Sequence, residues 1–451
     1  MQTLEGSGSV RPIGIDLFAG AGGLSLGFEQ AGFDVVAAVE IDPIHCAIHK
    51  FNFPQTRVLP VSVEHLRGDA IRDAAGIGRR DLDCLFGGAP CQGFSMIGHR
   101  ALDDPRNRLV LEFVRLVREL QPRTFVFENV KGLTVGRHRK FLGELVAAFE
   151  GIGYRVRLPW KVLNAGHYGT PQFRERLILL GARSGERLPE YPNPTTDIAG
   201  RRRGFPQLRL GPTCSDAIGD LPDADRFPEL QEIDSVHAAT YGEPSPYAAE
   251  LRCLTNDSWH FGYIRDWDSL ALTSSARTDH TEISRRRFAE TEPGSTEPIS
   301  RFFKLPAQGA SNTLRAGTDG ARGAFTSPRP IHYAFPRCIT VREMARLHGF
   351  PDWFRLHVTK WHGARQIGNA VPPPLARVIA TAVREAISAE PTRPMQPLSL
   401  GDSSLLRFDL TQAAAHFGVE PLPSRRDRKS GARKRKQIDI ERERLLEASN
   451  G

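Results

Sequence analysis

Short apolar runs closed by glycines or by an acid recur along the first 184 residues, and such runs read as buried parallel strands. Ile13–Leu17 (IGIDL) is followed by the turn Phe18-Ala19-Gly20-Ala21-Gly22-Gly23 and by Leu24-Ser25-Leu26-Gly27-Phe28, which begins a helix. Asp34–Glu40 (DVVAAVE) is a second strand, ending in a carboxylate. Cys84-Leu85-Phe86 ends in Gly87-Gly88 and leads into Ala89-Pro90-Cys91-Gln92-Gly93-Phe94-Ser95. Residues 124 to 127 (TFVF) form another strand, ending in Glu128-Asn129-Val130. Between them, Arg108–Leu120 (RLVLEFVRLVREL) carries its apolar positions at helical spacing. A strand-like stretch at 154 to 162 and a strand at 177 to 180 complete the series. Strands alternating with helices predict the α/β class with a parallel sheet.

From residue 185 to 310 the periodicity weakens, and Pro, Arg, Asp and Thr become frequent. This reads as a smaller, irregular second domain. It contains Arg201-Arg202-Arg203 and Arg285-Arg286-Arg287, with Trp259 and Trp267 between them, a mixture that suits nucleic acid. Regular patterning returns at 337 to 350 (RCITVREMARLHGF), where Thr340 and Glu343 have capping-box spacing. Prolines 372 to 374 open a last helix, expected over 375 to 388. Beyond 390 the chain reads as a linker with a basic tail at 425 to 436, expected to be disordered and to touch DNA non-specifically.

Composition narrows this picture. The 451 residues suffice for two to three domains, and the formal charge of +8 favours polyanionic partners. No apolar run reaches the ~20 residues of a membrane helix, and the first residues lack an export signal. Six scattered cysteines include no CxxC pair, so neither a zinc site nor a disulfide framework is indicated, and a cytoplasmic location is expected.

The candidate chemistry lies just past the strands. Gly20, Glu40, Cys91 and Glu128 each follow a different strand at its C-terminal end, where open α/β sheets bind ligands. The glycine turn before a helix offers unpaired N–H groups to a ligand, but Ser25 stands where the third glycine of a dinucleotide motif would fall. A carboxylate at Glu40, twenty residues after Gly20, suits a ribose. Arg174 and Arg176 alternate with Phe173 and Glu175, so one face carries two guanidiniums, able to hold a phosphate or a base carbonyl. His45 and His49 lie one helical turn apart with no third ligand, and are expected at the surface.

These strings resemble the DNA (cytosine-5)-methyltransferases over most of residues 12 to 390. DLFAGAGGLSLGF at 16 to 28 is similar to the family's cofactor loop, and GAPCQGFS at 88 to 95 to its nucleophile loop, with Ala89 where proline is commoner. ENV at 128 to 130, QFRERL at 172 to 177, RCITVREMARLHGFP at 337 to 351 and RQIGNAVPP at 365 to 373 match further motifs in the family's order. One departure stands out. The family's acid near the adenine aligns with Ser62, and Asp69 follows seven residues later.

The resemblance implies a Rossmann-like, S-adenosylmethionine-dependent catalytic domain (12–184), a target-recognition domain (185–310), returning C-terminal helices (311–390) and a tail (391–451). It implies Cys91 as nucleophile, Glu128 as the acid on the base, and Arg174 and Arg176 as sources of positive potential. Asp16, Phe18, Gly20, Gly22, Gly23, Leu24, Glu40, Ile41, Asn369, Ala370 and Val371 would surround the cofactor. Pro90, Gln92, Gly93, Ser95 and Gln172 would contact the substrate, with no metal required. Expected partners are double-stranded DNA and a separately acting cognate restriction endonuclease, and the expected state is a monomer. Rival readings are a tRNA methyltransferase of the same fold, which carries a shorter variable region, and a non-catalytic DNA-binding regulator. A zinc deaminase is disfavoured because no CxxC partner follows Cys91.

Overall fold

The computed structural model describes residues 11–90, 107–136, 138–199, 205, 207–237, 240–318 and 328–422. Strands β1 (Ile13–Leu17), β2 (Asp34–Glu40), β3 (Arg57–Pro60), β4 (Cys84–Gly87) and β5 (Thr124–Val130) pair in parallel in the order β3-β2-β1-β4-β5. Helices α1 (Gly23–Gln30), α2 (Pro43–Asn52), α3 (Gly68–Ala75) and α4 (Arg108–Leu120) connect them, and α5 (His138–Gly151) follows β5. The sheet continues through short strands β6 (Tyr154–Val156) and β7 (Lys161–Asn164), both antiparallel to β8 (Glu175–Arg183), which pairs antiparallel with β5. The strand order reverses its direction of growth at β1, so the crevice between β1 and β4 is the topological switch point. The stretch expected as one strand over 154 to 162 is split, because residues 157 to 160 leave the ladder.

Each sheet face has its own apolar layer. Ile13, Ile15 and Leu17 pack with Ile71 of α3, Phe113 of α4 and Leu145 of α5. On the opposite face, Phe86, Val126 and Ile178 pack with Leu24 and Phe28 of α1 and with Leu375 and Ile379. Those last two belong to α11 (Pro373–Ala386), so the final helix does return to the N-terminal layer. The α1–α11 contact is close: a Cβ on Gly27 would lie 2.3 Å from that of Ala376, so glycine is required there.

The second half is built from short elements. In order these are α6 (Cys214–Ile218), β9 (Val236–His237), α7 (Pro246–Leu251), β10 (Arg265–Asp266), β11 (Ala271–Leu272), α8 (Glu282–Glu290), α9 (Val341–His348) and α10 (Lys360–Asn369). A third core joins Cys214, Ala217, Met344, Leu347 and Ile367 to Ala47 and Ile48 of α2. Arg265 reaches α1 beside the large sheet through a fully buried pair with Glu29 at 2.7 Å. Trp259, expected beside nucleic acid, instead stacks on Trp353, and Arg285 is paired with Asp225 at 2.9 Å.

The stretch after 390 corrects the linker expectation. It forms β12 (Leu398–Ser399), parallel to β10, and α12 (Leu410–Phe417), capped at both ends of its first turn by Asp409 and Gln412. Leu405, Leu406, Ala413 and Ala414 are buried, and Gly401 N–H donates to the Phe51 carbonyl of α2. Leu400, Phe408 and Phe417 pack against the same core, so the strap carries an apolar pattern that the linker reading passed over. The basic run at 425 to 436 lies outside the described residues.

Candidate active site

The C-terminal edge of β1 and β2 is built around Glu40. Its Oε2 accepts the Gly20 N–H at 2.8 Å and its Oε1 accepts the Asp42 N–H at 2.9 Å, so the glycine turn and the start of α2 are tied to one carboxylate. Phe18 adopts φ +58 and Gly22 φ +101. The left-handed region costs a side chain roughly 1–3 kcal/mol, which glycine avoids at Gly22 and Phe18 bears. Ile41, beside Glu40, is 48% exposed, an apolar surface at the crevice. Gly23 packs so tightly on the C-terminal motif that a Cβ would lie 2.5 Å from the Val371 carbonyl. Val371 is buried, Ala370 half-buried and Asn369 exposed. Asp16 and Leu24 are buried below the turn.

At β4 and β5 the edge is acidic and basic together. Arg176 Nε lies 2.8 Å from Glu128 Oε1. Val130 is the register partner of Arg176, which puts that side chain diagonally across from Glu128 on the same face. Burial pushes the Glu128 carboxyl above its ordinary range, while Arg176 and Arg174 pull it down. Asn129 Nδ2 donates to the Ala89 carbonyl at 3.1 Å, which fixes the loop leaving β4 against β5. Pro90 is exposed at the end of that loop. Cys91, Gln92, Gly93 and Ser95 lie outside the described residues.

Gln172 and Arg174 bind protein, not solvent. Arg174 is buried and donates to the carbonyls of Leu314 (2.9 Å), Gly368 (2.8 Å) and Ala370 (2.8 Å). Two of these close the C-terminal end of α10, where a cation is favoured. Gln172 Nε2 donates to His348 Nδ1 at 2.9 Å, and His348 Nε2 donates to the Ala370 carbonyl at 3.1 Å. Burial and the nearby Arg174 hold this imidazole well below its usual pKa, so it stays neutral. The motif at 172 to 177 therefore carries one residue facing Glu128 and two that clamp the C-terminal motif against the sheet.

Ser62 caps a short helical turn just past β3, accepting the Glu64 N–H, whereas Asp69 is exposed on α3 and paired with Arg67. His45 and His49, expected at the surface, are both buried, because the inner face of α2 packs under the glycine turn. His49 lies 3.0 Å from Ser25 Oγ, which itself donates to Asp16 at 2.7 Å. In the sequence this group showed only as separate signals, Asp16 in the cofactor string, Ser25 at the misplaced glycine position and the His45–His49 spacing, and His348 only as part of the string at 337 to 351.

The comparisons agree with this architecture. A family model described as C-5 cytosine-specific DNA methylase matches residues 14–385. The type II methyltransferase M.XorII of Xanthomonas oryzae pv. oryzae is 60% identical over 409 residues, covering 91% of this chain and 93% of that protein. The type II methyltransferase M1.HphI of Haemophilus parahaemolyticus is 34% identical, covering 82% and 86%. A prophage-encoded DNA modification methyltransferase from E. coli, solved crystallographically, superposes with a TM-score of 0.67 at 31% identity, over 84% of this chain and 99% of that one. Matched from its first strand to its last long helix, the chain belongs to the C-5 cytosine-specific DNA methylases, enzymes that methylate carbon 5 of cytosine in DNA.

Proposed function

We propose that the protein methylates carbon 5 of a cytosine turned out of a specific duplex sequence, through a covalent Cys91 adduct, as the modification enzyme of a type II restriction–modification system. The observation that carries this reading is the adjacency of β1, β4 and β5, which brings the glycine turn, the loop leading to Cys91 and Glu128 to one edge. The modification role is supported by the naming of the 60%-identical relative. A separate endonuclease is the expected partner, and the enzyme acts as a monomer.

The residues of the turn fit S-adenosylmethionine. Glu40 is pinned at the crevice, Ile41 offers an apolar surface there, and buried Asp16 Oδ1 has no hydrogen-bond partner among the described residues. Phe18, Gly20, Gly22, Gly23 and Leu24 would hold its methionine part, Glu40 its ribose, and Asn369, Ala370 and Val371 the far wall. When bound, S-adenosylmethionine supplies the methyl group as an electrophilic sulfonium.

Cytosine carbon 5 is too weak a nucleophile to react unaided. The Cys91 thiolate adds at carbon 6 and converts the ring to an enamine, dividing one hard step into easier ones. Glu128, holding a proton, contacts ring nitrogen 3 and the amino group and neutralises the charge that develops. Arg176 orients Glu128, and Arg174 keeps the C-terminal motif in place behind it. Pro90, Gln92, Gly93 and Ser95 would contact the base, which leaves the stack at a cost of a few kcal/mol. Loss of the carbon 5 proton and elimination of Cys91 release the product.

Bisulfite sequencing of DNA from cells expressing the protein tests this. Complete 5-methylcytosine at one short sequence, lost in Cys91→Ala, is expected. Unmodified DNA, or modification of tRNA in its place, would contradict the reading.

A further inference from the structure

Asp16 is the penultimate residue of β1, just before the glycine turn, and is fully buried. Its Oδ2 accepts from Ser25 Oγ at 2.7 Å, and Ser25 Oγ is 3.0 Å from His49 Nε2. The three side chains are all closed to solvent and join β1, α1 and α2 behind the turn. Two atoms are left over. Asp16 Oδ1 and His49 Nδ1 are buried without a hydrogen-bond partner among the described residues.

A buried carboxylate with one bare oxygen is costly. Burial pushes Asp16 up to about 8, Glu40 adds to the rise, and Ser25 opposes it. His49 is held neutral, at about 3, by burial and by Lys50. The charged groups facing this chain are therefore Glu40 from β2 and Lys50 from α2.

The chain accommodates either charge on Asp16. When Asp16 is neutral, its Oδ2–H donates to Ser25, and Ser25 donates to His49 Nε2. When Asp16 is ionised, His49 Nε2–H donates to Ser25, and Ser25 donates to Oδ2. A buried histidine is usually locked in one tautomer by a partner on its second nitrogen. Here Nδ1 is uncommitted, so both arrangements are open.

We propose that Ser25 and His49 are positioning residues that let Asp16 exchange a proton for a cationic group of the cofactor, which meets Oδ1. This rests on the reading of the turn as the S-adenosylmethionine site. Asp16 releases its proton to solvent and accepts the cationic group in its place, and no other bond forms or breaks. Cofactor binding is thereby coupled to pH through one carboxyl.

Calorimetric titration of the full-length protein with S-adenosylmethionine, in buffers of different ionisation enthalpy, counts the protons released. For an acid of pKa about 8, close to one proton per cofactor is expected at pH 7, falling through zero near pH 8 and turning to uptake above it, where the free cofactor's α-ammonium has itself lost its proton. Ser25→Ala should weaken binding roughly tenfold and move the release curve to higher pH, and Ser25→Thr should restore both. His49→Phe, which keeps a ring against Phe53, should move the curve the same way by less. Asp16→Asn should bind without releasing a proton. A wild-type protein that binds the cofactor and releases none, or a Ser25→Ala protein with unaltered affinity and release curve, overturns the proposal and leaves the methylation reading standing. A wild-type protein with no binding heat and no methylation overturns both.

Discussion

Glu128 shows how much one side chain depends on its neighbours. Arg176 grips one carboxylate oxygen at 2.8 Å, and Gly88 makes room for the other: a Cβ there would lie 2.4 Å from Oε2. Gly88→Ala should therefore displace the carboxylate without disturbing the core. Turnover should fall at least about tenfold while the melting temperature hardly moves, and steady-state kinetics beside calorimetry will show whether it does. The pH dependence has a definite sign. In the proposed mechanism Glu128 works in its protonated form, so activity is expected to decline as pH rises through its pKa. Arg176 pulls that pKa down, so Arg176→Ala should move the decline to higher pH. A decline that stays in place or moves lower would remove Glu128 as the acid. Glu128 was legible in the sequence as a carboxylate at a strand end. Its pairing was not, because only the antiparallel register of β8 brings Arg176 to it.

Among the elements, α9 is notable for buried charge, with Arg342, Glu343 and Arg346 all closed to solvent. Thr340 caps it, Glu343 returns the bond to the Thr340 N–H, and Arg337 grips both Glu343 oxygens. Burial alone would raise the Glu343 carboxyl, yet Arg337 holds it at about 2 against an ordinary 4.5. A depressed acid stabilises the fold above its unfolded value and loses that contribution as pH falls through its folded one. On the order of 3 kcal/mol should vanish between pH 4.5 and 2, and urea unfolding of Glu343→Gln should lack this acid-dependent part. Wild-type-like acid sensitivity in that variant would refute the assignment. The cap was readable because its spacing is local, and α4 was readable because its apolar stripe is unbroken. The break between β6 and β7 and the burial of His45 and His49 were not, because both depend on what the chain packs against.

Across the whole molecule, the strap over 391 to 422 ties α2 to the loop before α10. Leu406 O accepts the Val358 N–H at 3.1 Å, and Phe408 O accepts from His357 Nε2 at 3.1 Å. Because α2 also presents Asp42 to Glu40, the strap braces one wall of the proposed cofactor crevice. A chain ending at 390 should melt several degrees lower and bind S-adenosylmethionine more weakly, whereas one ending at 422 should match the full chain in both. Thermal melts and equilibrium dialysis of the two truncations distinguish these outcomes, and equal behaviour would deny the strap its role. Strand ends put Gly20, Glu40 and Glu128 on one edge from sequence alone, and the order β2-β1-β4-β5 places them there. The clamp of Gln172, Arg174 and His348 stayed hidden, since it joins segments about 175 residues apart.

The most direct test of the account is denaturing electrophoresis after incubation with S-adenosylmethionine and duplex DNA carrying 5-fluorocytosine at the recognised site. Fluorine at carbon 5 blocks the elimination that frees Cys91, so a stable protein–DNA conjugate, linked through Cys91 by peptide mapping and absent in Cys91→Ala, is the predicted result. Cofactor-dependent methylation of ordinary DNA with no such conjugate would contradict it.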